Sequence, residues 1–234
     1  MINKDKNTKI EACIFDLDGT LLDTLLSIRY SLNQILDKYG YRAVTKEETR
    51  IFVGKGARNL MRCTLSACGF DFTVPESEEL FLKIYDDFVQ FYDSNPFYLT
   101  EPYDGIKDAI LYLRSQGVKL AILSNKPDSM VGQLVQMHFA GLFDAASGAK
   151  DGVALKPDPE GVFAVCAELG VEPRNTAYFG DMGIDMITAA NYGAGVSVGV
   201  SWGFRDAEEL RREGADIVID HPSEIKEAMK RFFE

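Results

Sequence analysis

Residues 11–20 read EACIFDLDGT, an apolar run followed by two aspartates, a glycine and a threonine. The run Glu11–Phe15 has the length and the apolar character of a buried strand, and the residues after it are typical of a glycine-containing turn. The sequence therefore predicts that Asp16, Asp18 and Thr20 lie directly after the carboxyl end of a buried strand.

A long helical stretch follows this strand. Apolar residues recur at helical spacing from about residue 23 to residue 95, and no convincing strand interrupts them. Gly40 is placed to end the first helix, and Thr45 with Glu48 predicts a capping box at the start of the next one. Further strands, alternating with helices, are predicted after residue 96, at 119–123, near 143–146, and at 176–179, 196–200 and 217–219.

Strands that alternate with helices predict a parallel sheet covered on both faces. The helical stretch of roughly seventy residues is too long for a single crossover connection. We therefore expect an α/β fold with a doubly wound parallel, Rossmann-like sheet as catalytic core, formed by residues 1–22 and 97–234. Residues 23–96 are expected to form an α-helical cap domain that is inserted after the first strand.

Composition narrows the class of protein. The chain has 234 residues and a formal charge of −11, which argues against nucleic acid and anionic membrane surfaces as partners. No apolar run is long enough for a membrane span, and the four cysteines form no CxxC pair. We expect a cytoplasmic protein with free thiols, as a monomer or homodimer.

Polar residues that suit phosphate chemistry follow several of the predicted strands. In an open parallel sheet, ligands bind at the carboxyl ends of the strands. The candidate residues expected at that edge are Asp16, Asp18, Ser124, Asn125, Lys156, Asp181 and Asp185. Carboxylate ligands without clustered His or Cys favour Mg²⁺ over zinc, and a nearby lysine, a hydroxyl and helix amino termini suit a phosphate.

A mechanism can be assigned to these residues. Asp16 is expected to attack phosphorus and form an aspartyl-phosphate, while Asp18 protonates the leaving alkoxide and then activates water. Ser124, Asn125 and Lys156 are expected to bind the phosphate.

The metal is assigned to the same edge. Asp16, Asp181 and the main-chain carbonyl of Asp18 are predicted to bind Mg²⁺. Asp185 is predicted to support either the metal or Lys156, and a simple preference for the start of its helix is the alternative.

These residues resemble the four motifs of the haloacid dehalogenase-like phosphohydrolase superfamily. DLDGT at 16–20 matches the first motif, Ser124 the second, Lys156 the third and GDMGID at 180–185 the fourth. The resemblance covers nearly the whole chain, since the helical stretch matches the cap inserted after the first motif in one branch. It implies a Mg²⁺-dependent aspartyl-phosphate mechanism and a cap that closes over the substrate.

Two further segments resemble the phosphoglycolate phosphatase branch. VGKGARNLM at 53–61 is similar to the cap loop of these enzymes, and Trp202-Gly203-Phe204 stands where they often carry an aromatic residue and a glycine. Lys55, Gly56 and Arg58 are therefore candidate substrate contacts in the cap. The alternative is a loop at the start of a helix with solvated cations.

The favoured function is a Mg²⁺-dependent phosphomonoester phosphatase acting on a small phosphorylated metabolite, with 2-phosphoglycolate as the best candidate. The alternatives in the same superfamily are a β-phosphoglucomutase-like phosphosugar mutase and a pyrophosphatase or nucleotide phosphatase. Asp18 argues against a dehalogenase, and the absence of an assignable imine-forming lysine in the cap argues against a phosphonate hydrolase. A non-catalytic binding protein that keeps the fold is the alternative from another class.

Overall fold

The first strand, β1 (Ala12–Phe15), lies inside a parallel sheet in the computed structural model, which describes residues 9–233. The strand order among the described residues is β5-β4-β1-β6-β7-β8. The other strands of this sheet are β4 (Lys119–Pro127), β5 (Ala145–Ala149), β6 (Thr176–Gly180), β7 (Val196–Val200) and β8 (Ile217–Ile219). The order in which strands are added reverses at β1, and crevices at such reversals bind ligands.

The strands β4 and β6 flank β1 on either side. Ala12 pairs with Lys119 of β4 and with Thr176 of β6, and Phe15 pairs with Ile122 and Phe179. All three strands are aligned in parallel, so their carboxyl ends lie at one edge. The polar residues that follow them are therefore brought together, as the sequence predicts.

Helices cover both faces of the sheet because successive side chains of a strand point to opposite sides. Cys13 and Phe15 contribute to one apolar cluster, and Ala12 and Ile14 to another on the opposite face. The Phe15 ring stacks on Phe179 with centroids 4.5 Å apart. The helices of this part of the chain are α5 (Ile106–Ser115), α6 (Asp128–Phe139), α7 (Glu160–Leu169), α8 (Gly183–Tyr192), α9 (Ala207–Arg212) and α10 (Ile225–Lys230).

The chain divides into two compact units. One comprises the chain up to Asp23 and from Pro102 onward, and the other is Thr24–Glu101. Two short strands, β2 (Leu22–Asp23) and β3 (Glu101–Pro102), pair in a separate sheet near these boundaries. The predicted roles of a catalytic core at 1–22 and 97–234 and a cap at 23–96 stay predictions, because compactness does not assign a role.

The unit Thr24–Glu101 is helical. It contains α1 (Leu25–Lys38), α2 (Lys46–Phe52), α3 (Ala57–Ala67) and α4 (Ser77–Ser94). Gly40, at φ 74°, ends α1, and the amide of Tyr41 donates to the carbonyl of Leu36 over 2.9 Å. The predicted capping box is present, since Thr45 accepts from the Glu48 amide and Glu48 accepts from the Thr45 amide.

Two strands differ from their predicted positions. The strand predicted at 119–123 continues to Pro127, with an irregular register between Leu123 and Pro127 that admits polar residues into an extended segment. The strand predicted near 143–146 begins at Ala145 and runs to Ala149. The four cysteines are free thiols, and none of the described helices combines the length and apolar character needed to cross a membrane.

Candidate active site

Three buried carboxylates lie together beyond the ends of β1 and β6. Asp16 follows β1, Asp181 follows β6, and Asp185 lies in the first turn of α8. Each offers an oxygen, and these oxygens all lie within 4.8 Å of one another. The structure thus brings Asp16 together with Asp181 and Asp185, two predicted site residues that are distant from it in sequence.

The surroundings of these carboxylates disfavour their ionised forms. Burial, more than repulsion from Asp185, raises the pKa of Asp16 to about 7 even though Lys156 opposes the shift. Burial and the neighbouring Asp185 and Asp16 carboxylates also raise the pKa of Asp181 well above its usual range. A cation that pairs with these oxygens would restore their charge.

Lys156 supplies one positive charge to this cluster. Its Nζ lies 3.0 Å from Asp16 Oδ1 and 2.7 Å from Asp185 Oδ1, and only 3% of its side chain is exposed. Burial by itself would lower the pKa of the ammonium, but Asp16 and Asp185 raise it well above the ordinary value. Lys156 thus bridges Asp16 and Asp185, and its predicted contact with a phosphate stays a prediction.

Asp185 also caps its own helix. Its Oδ2 accepts from the Met182 amide over 3.1 Å, while its Oδ1 pairs with Lys156. Gly180 is needed here because a Cβ at that position would overlap the Asp185 side chain. One carboxylate thus has the geometry for both roles, the predicted support of Lys156 and the alternative capping of its own helix.

The irregular end of β4 places Ser124 and Asn125 beside the Lys156 segment. The Asn125 amide side chain accepts from the Lys156 backbone amide over 2.9 Å and donates to its carbonyl over 3.2 Å. Ser124 is buried, and its Oγ accepts from the Lys126 amide over 3.3 Å. Asn125 therefore contacts the backbone of the lysine that was predicted to bind phosphate together with it.

The Asp181 carboxylate is held by groups on two other segments. Its Oδ1 accepts from the Thr20 hydroxyl over 3.1 Å, and its Oδ2 accepts from the Phe204 amide over 2.7 Å. A Cβ on Gly19, which has φ +83°, or on Gly203 would overlap this carboxylate. The loop after β7 thus helps to fix a predicted metal ligand.

Sequence reasoning assigned no role to Lys126, although it directly follows Ser124 and Asn125. Its Nζ lies 3.2 Å from both Oδ1 and Oδ2 of Asp18. The sequence likewise predicted no contact of Asp181 with Thr20 or with the Phe204 amide. For Lys126, the available signal was a lysine at the predicted carboxyl end of a strand, where ligands of parallel sheets bind.

The three candidates of the inserted unit lie at the start of α3. Lys55 is exposed, Gly56 precedes the helix at φ 81°, and Arg58 lies in its first turn. The Arg58 guanidinium lies 3.1 Å from Glu78 Oε1 and over the Phe81 ring. Their contact with a substrate stays a prediction.

The oxygen donors of this edge fit a hard divalent cation. The oxygens come from carboxylates, which Mg²⁺ prefers, and the described residues near them include no clustered His or Cys. The raised pKa values of Asp16 and Asp181 show that the positive charge near them does not offset the cost of burying their ionised forms. The residues present therefore fit the predicted cofactor.

A comparison with known families identifies the class of protein. The family model of haloacid dehalogenase-like hydrolases matches residues 13–199, and the chain belongs to this family. A phosphoglycolate phosphatase of Pseudomonas putida is 31% identical over 212 residues, which cover 88% of this chain and 75% of the relative. The predicted resemblance to the phosphoglycolate phosphatase-like branch is confirmed, and these relatives indicate a phosphoric monoester hydrolase.

The chain is also similar to a relative named for a different substrate and to a solved structure. An N-acetylmuramic acid 6-phosphate phosphatase of Pseudomonas aeruginosa is 28% identical over 228 residues, covering 97% of both chains. A crystal structure of a Lactobacillus delbrueckii subsp. bulgaricus protein, with a provisional phosphoglycolate phosphatase assignment, is 33% identical. It superimposes with a TM-score of 0.87 over 94% of this chain and 98% of the other. The predicted α/β fold is confirmed.

Proposed function

We propose that this chain is a Mg²⁺-dependent phosphomonoester phosphatase that acts through an aspartyl-phosphate on Asp16. The observation that carries the proposal is the contact of 3.0 Å between the buried Asp16 carboxylate and Lys156 Nζ. A nucleophile paired with a fixed cation is suited to an incoming anionic phosphoryl group. The unit that contains both residues is proposed as the catalytic core, and Thr24–Glu101 as the cap.

In the first step, an oxygen of Asp16 forms a bond to phosphorus and the bond from phosphorus to the leaving oxygen breaks. Asp18 donates its proton to that oxygen, so that an alcohol leaves. Ser124 and Lys156 hold the phosphoryl oxygens while charge develops on them. The main-chain amide of Leu17 donates to Asp16 Oδ1 over 2.7 Å, which fixes the orientation of the nucleophile.

In the second step, Asp18 accepts a proton from water, and the water oxygen attacks phosphorus. The bond to Asp16 breaks and inorganic phosphate leaves. Asp16, Asp181 and the main-chain carbonyl of Asp18 would hold Mg²⁺. When bound, the ion supplies positive charge that offsets the charge of the phosphoryl oxygens.

The proposed substrate is 2-phosphoglycolate. This choice is supported by the phosphoglycolate phosphatases among the relatives, such as that of P. putida. A relative named for a larger sugar phosphate matches the chain at similar identity, so the substrate panel must include one. The free thiols suit a reducing compartment, and we propose that the protein acts in the cytoplasm as a monomer or homodimer.

The test measures inorganic phosphate released from 2-phosphoglycolate, N-acetylmuramic acid 6-phosphate, nucleotides, pyrophosphate and hexose phosphates. We expect release that requires Mg²⁺, stops with EDTA, and is lost in Asp16→Asn. 2-Phosphoglycolate is expected to show the highest kcat/KM. Undiminished turnover in EDTA or in Asp16→Asn would contradict the mechanism, and isomerised phosphosugar without free phosphate would contradict hydrolysis.

A further inference from the structure

Lys126 is a buried cation at the candidate site that the proposed mechanism does not use. Its Nζ lies 3.2 Å from each oxygen of Asp18, so the ammonium faces the carboxylate symmetrically. Only 2% of the Lys126 side chain is exposed, against 19% of that of Asp18. The carboxylate is therefore the more accessible member of the pair.

This burial bears on what Lys126 can do. Lys126 Nζ contacts Asp18, the proposed proton donor, whereas the similarly buried Lys156 Nζ contacts Asp16, the proposed nucleophile. Burying an ammonium is costly unless a well-placed carboxylate compensates it. Contact with both oxygens restricts rotation of the Asp18 carboxylate. A neutral or shorter side chain at position 126 would not make this pair of contacts.

Lys126 also contacts the phosphate-binding side of the site through its backbone. Its amide donates to Ser124 Oγ over 3.3 Å, while its side chain reaches Asp18. One residue thus connects the hydroxyl proposed to hold the phosphoryl group with the carboxylate proposed to protonate the leaving oxygen. Its backbone lies in β4, in the irregular segment before Pro127.

We propose that Lys126 is a positioning residue, which holds the Asp18 carboxylate where it can transfer its proton to the leaving-group oxygen. This inference rests on the proposed function. An alkyl phosphate needs that proton because an alkoxide leaves poorly, whereas the nitrophenolate of p-nitrophenyl phosphate leaves without it. Loss of Lys126 therefore affects the two classes of substrate differently.

The experiment compares the phosphorylation half-reaction of wild type and Lys126→Met. Single-turnover rates are measured with 2-phosphoglycolate, or with the best alkyl phosphate of the panel, and the burst of nitrophenolate with p-nitrophenyl phosphate. We expect the alkyl phosphate rate to fall about 10- to 100-fold, the size of effect that a misplacement near 1 Å produces. The nitrophenolate burst rate is expected to stay within about threefold, since it needs little proton transfer.

Two further variants serve as controls. Lys126→Arg keeps a cation and is expected to recover part of the alkyl phosphate rate, so it also tests the proposal if Lys126→Met does not fold. Lys150→Met removes a lysine that is 50% exposed and pairs with Asp128, and it is expected to behave as wild type.

Equal losses on both substrates, or no loss on either, would overturn the positioning role. The role would also be overturned if Lys126→Arg recovered none of the alkyl phosphate rate and left the ratio of the two substrates' rates as in wild type. These results differ from failure of the proposed function, in which wild type itself would hydrolyse none of the phosphomonoesters.

Discussion

Lys156 Nζ lies 2.7 Å from Asp185 Oδ1, and the two side chains are 3% and 0% exposed. Asp16 contacts the same ammonium, so one buried cation serves two buried carboxylates. The removal of one partner from a buried ion pair leaves a charge that neither water nor protein compensates. We therefore expect the contact between Lys156 and Asp185 to matter for folding as well as for the proposed binding of a phosphoryl group.

Lys156→Met should destabilise the protein by about 3–5 kcal/mol, the usual cost of breaking a buried pair. Urea unfolding in EDTA measures this loss, and a second substitution, Asp185→Asn, should recover part of it. The matched control is Lys38→Met, which breaks the more exposed pair with Asp87 and should cost about 0–1 kcal/mol. Similar losses of unfolding free energy for both lysines would show that the buried pair contributes no more to stability than the exposed one.

The contribution of Asp16 to the stability of the metal-free protein should fall as the pH rises from about 4 to about 7. Burial raises the pKa of Asp16 from 3.8 to about 7, so the unfolded chain loses this proton at lower pH than the folded protein. Within that window each increase in pH favours the unfolded state, and the loss is complete above about pH 7.

Thermal unfolding in EDTA, compared between wild type and Asp16→Asn, isolates this contribution. The wild type should lose stability relative to the variant over this range, and Mg²⁺ should remove the loss by favouring the ionised carboxylates. Parallel pH profiles for the two proteins in EDTA would be evidence against a raised pKa at Asp16.

Asn125→Ala should weaken binding of the phosphoryl group. The Asn125 side chain makes two hydrogen bonds to the backbone of Lys156, and their loss leaves the lysine segment less constrained. Each such bond contributes about 0.5–1.5 kcal/mol. We expect KM for the best substrate to rise about 5- to 30-fold, with a smaller change in kcat, measured by steady-state phosphate release. Asn175→Ala, at an exposed contact with Glu11, should leave KM unchanged.

Gly203→Ala should reduce both stability and Mg²⁺ affinity. A Cβ at this position would overlap the Gly19 carbonyl and the Asp181 side chain, and such overpacking costs about 1–3 kcal/mol. Isothermal titration with Mg²⁺ and urea unfolding give the two values.

Gly132→Ala is the matched control for this substitution. Gly132 lies within α6, and apart from its chain neighbours and the backbone of its own helix, no atom lies within 4 Å of the space that an added methyl group would occupy. Alanine should therefore stabilise the helix by about 0.5–1 kcal/mol. Wild-type Mg²⁺ affinity in Gly203→Ala would refute the contact between this loop and the metal ligand.

The arrangement of the parallel sheet could be predicted from the sequence because its signals are local. The run Glu11–Phe15 is apolar enough to identify a buried strand, and the alternation of strands and helices predicts a parallel sheet. Which strands are neighbours, such as β1 and β4, is given by the structure alone. Asp16 and Asp181 could be placed together because each follows a strand of the same sheet. Gly40 and the Thr45 capping box ended and began helices as predicted.

The supporting contacts could not be predicted because they depend on distant segments. Thr20 and the Phe204 amide reach Asp181 only after the loop beyond β7 has folded against it. The pairing of Lys126 with Asp18 joins residues 108 positions apart. Spacing along the chain specifies which residues end the strands, but side-chain packing specifies which of them touch.

Main chain, rather than side chains, borders Asp181 at Gly19 and Gly203. A side chain can rotate to make room, whereas a shift of the main chain at Gly19 or Gly203 would also move the neighbouring Thr20 hydroxyl and Phe204 amide, which donate to Asp181. A cation bound here would meet a carboxylate whose two oxygens already accept hydrogen bonds from Thr20 and from the Phe204 amide. Mg²⁺ takes oxygen ligands at about 2.0–2.1 Å and Ca²⁺ at about 2.3–2.6 Å, so a carboxylate held in a fixed position favours one ion size over the other. We therefore expect the glycines at positions 19 and 203, which leave room for this carboxylate, to favour Mg²⁺ over the larger Ca²⁺.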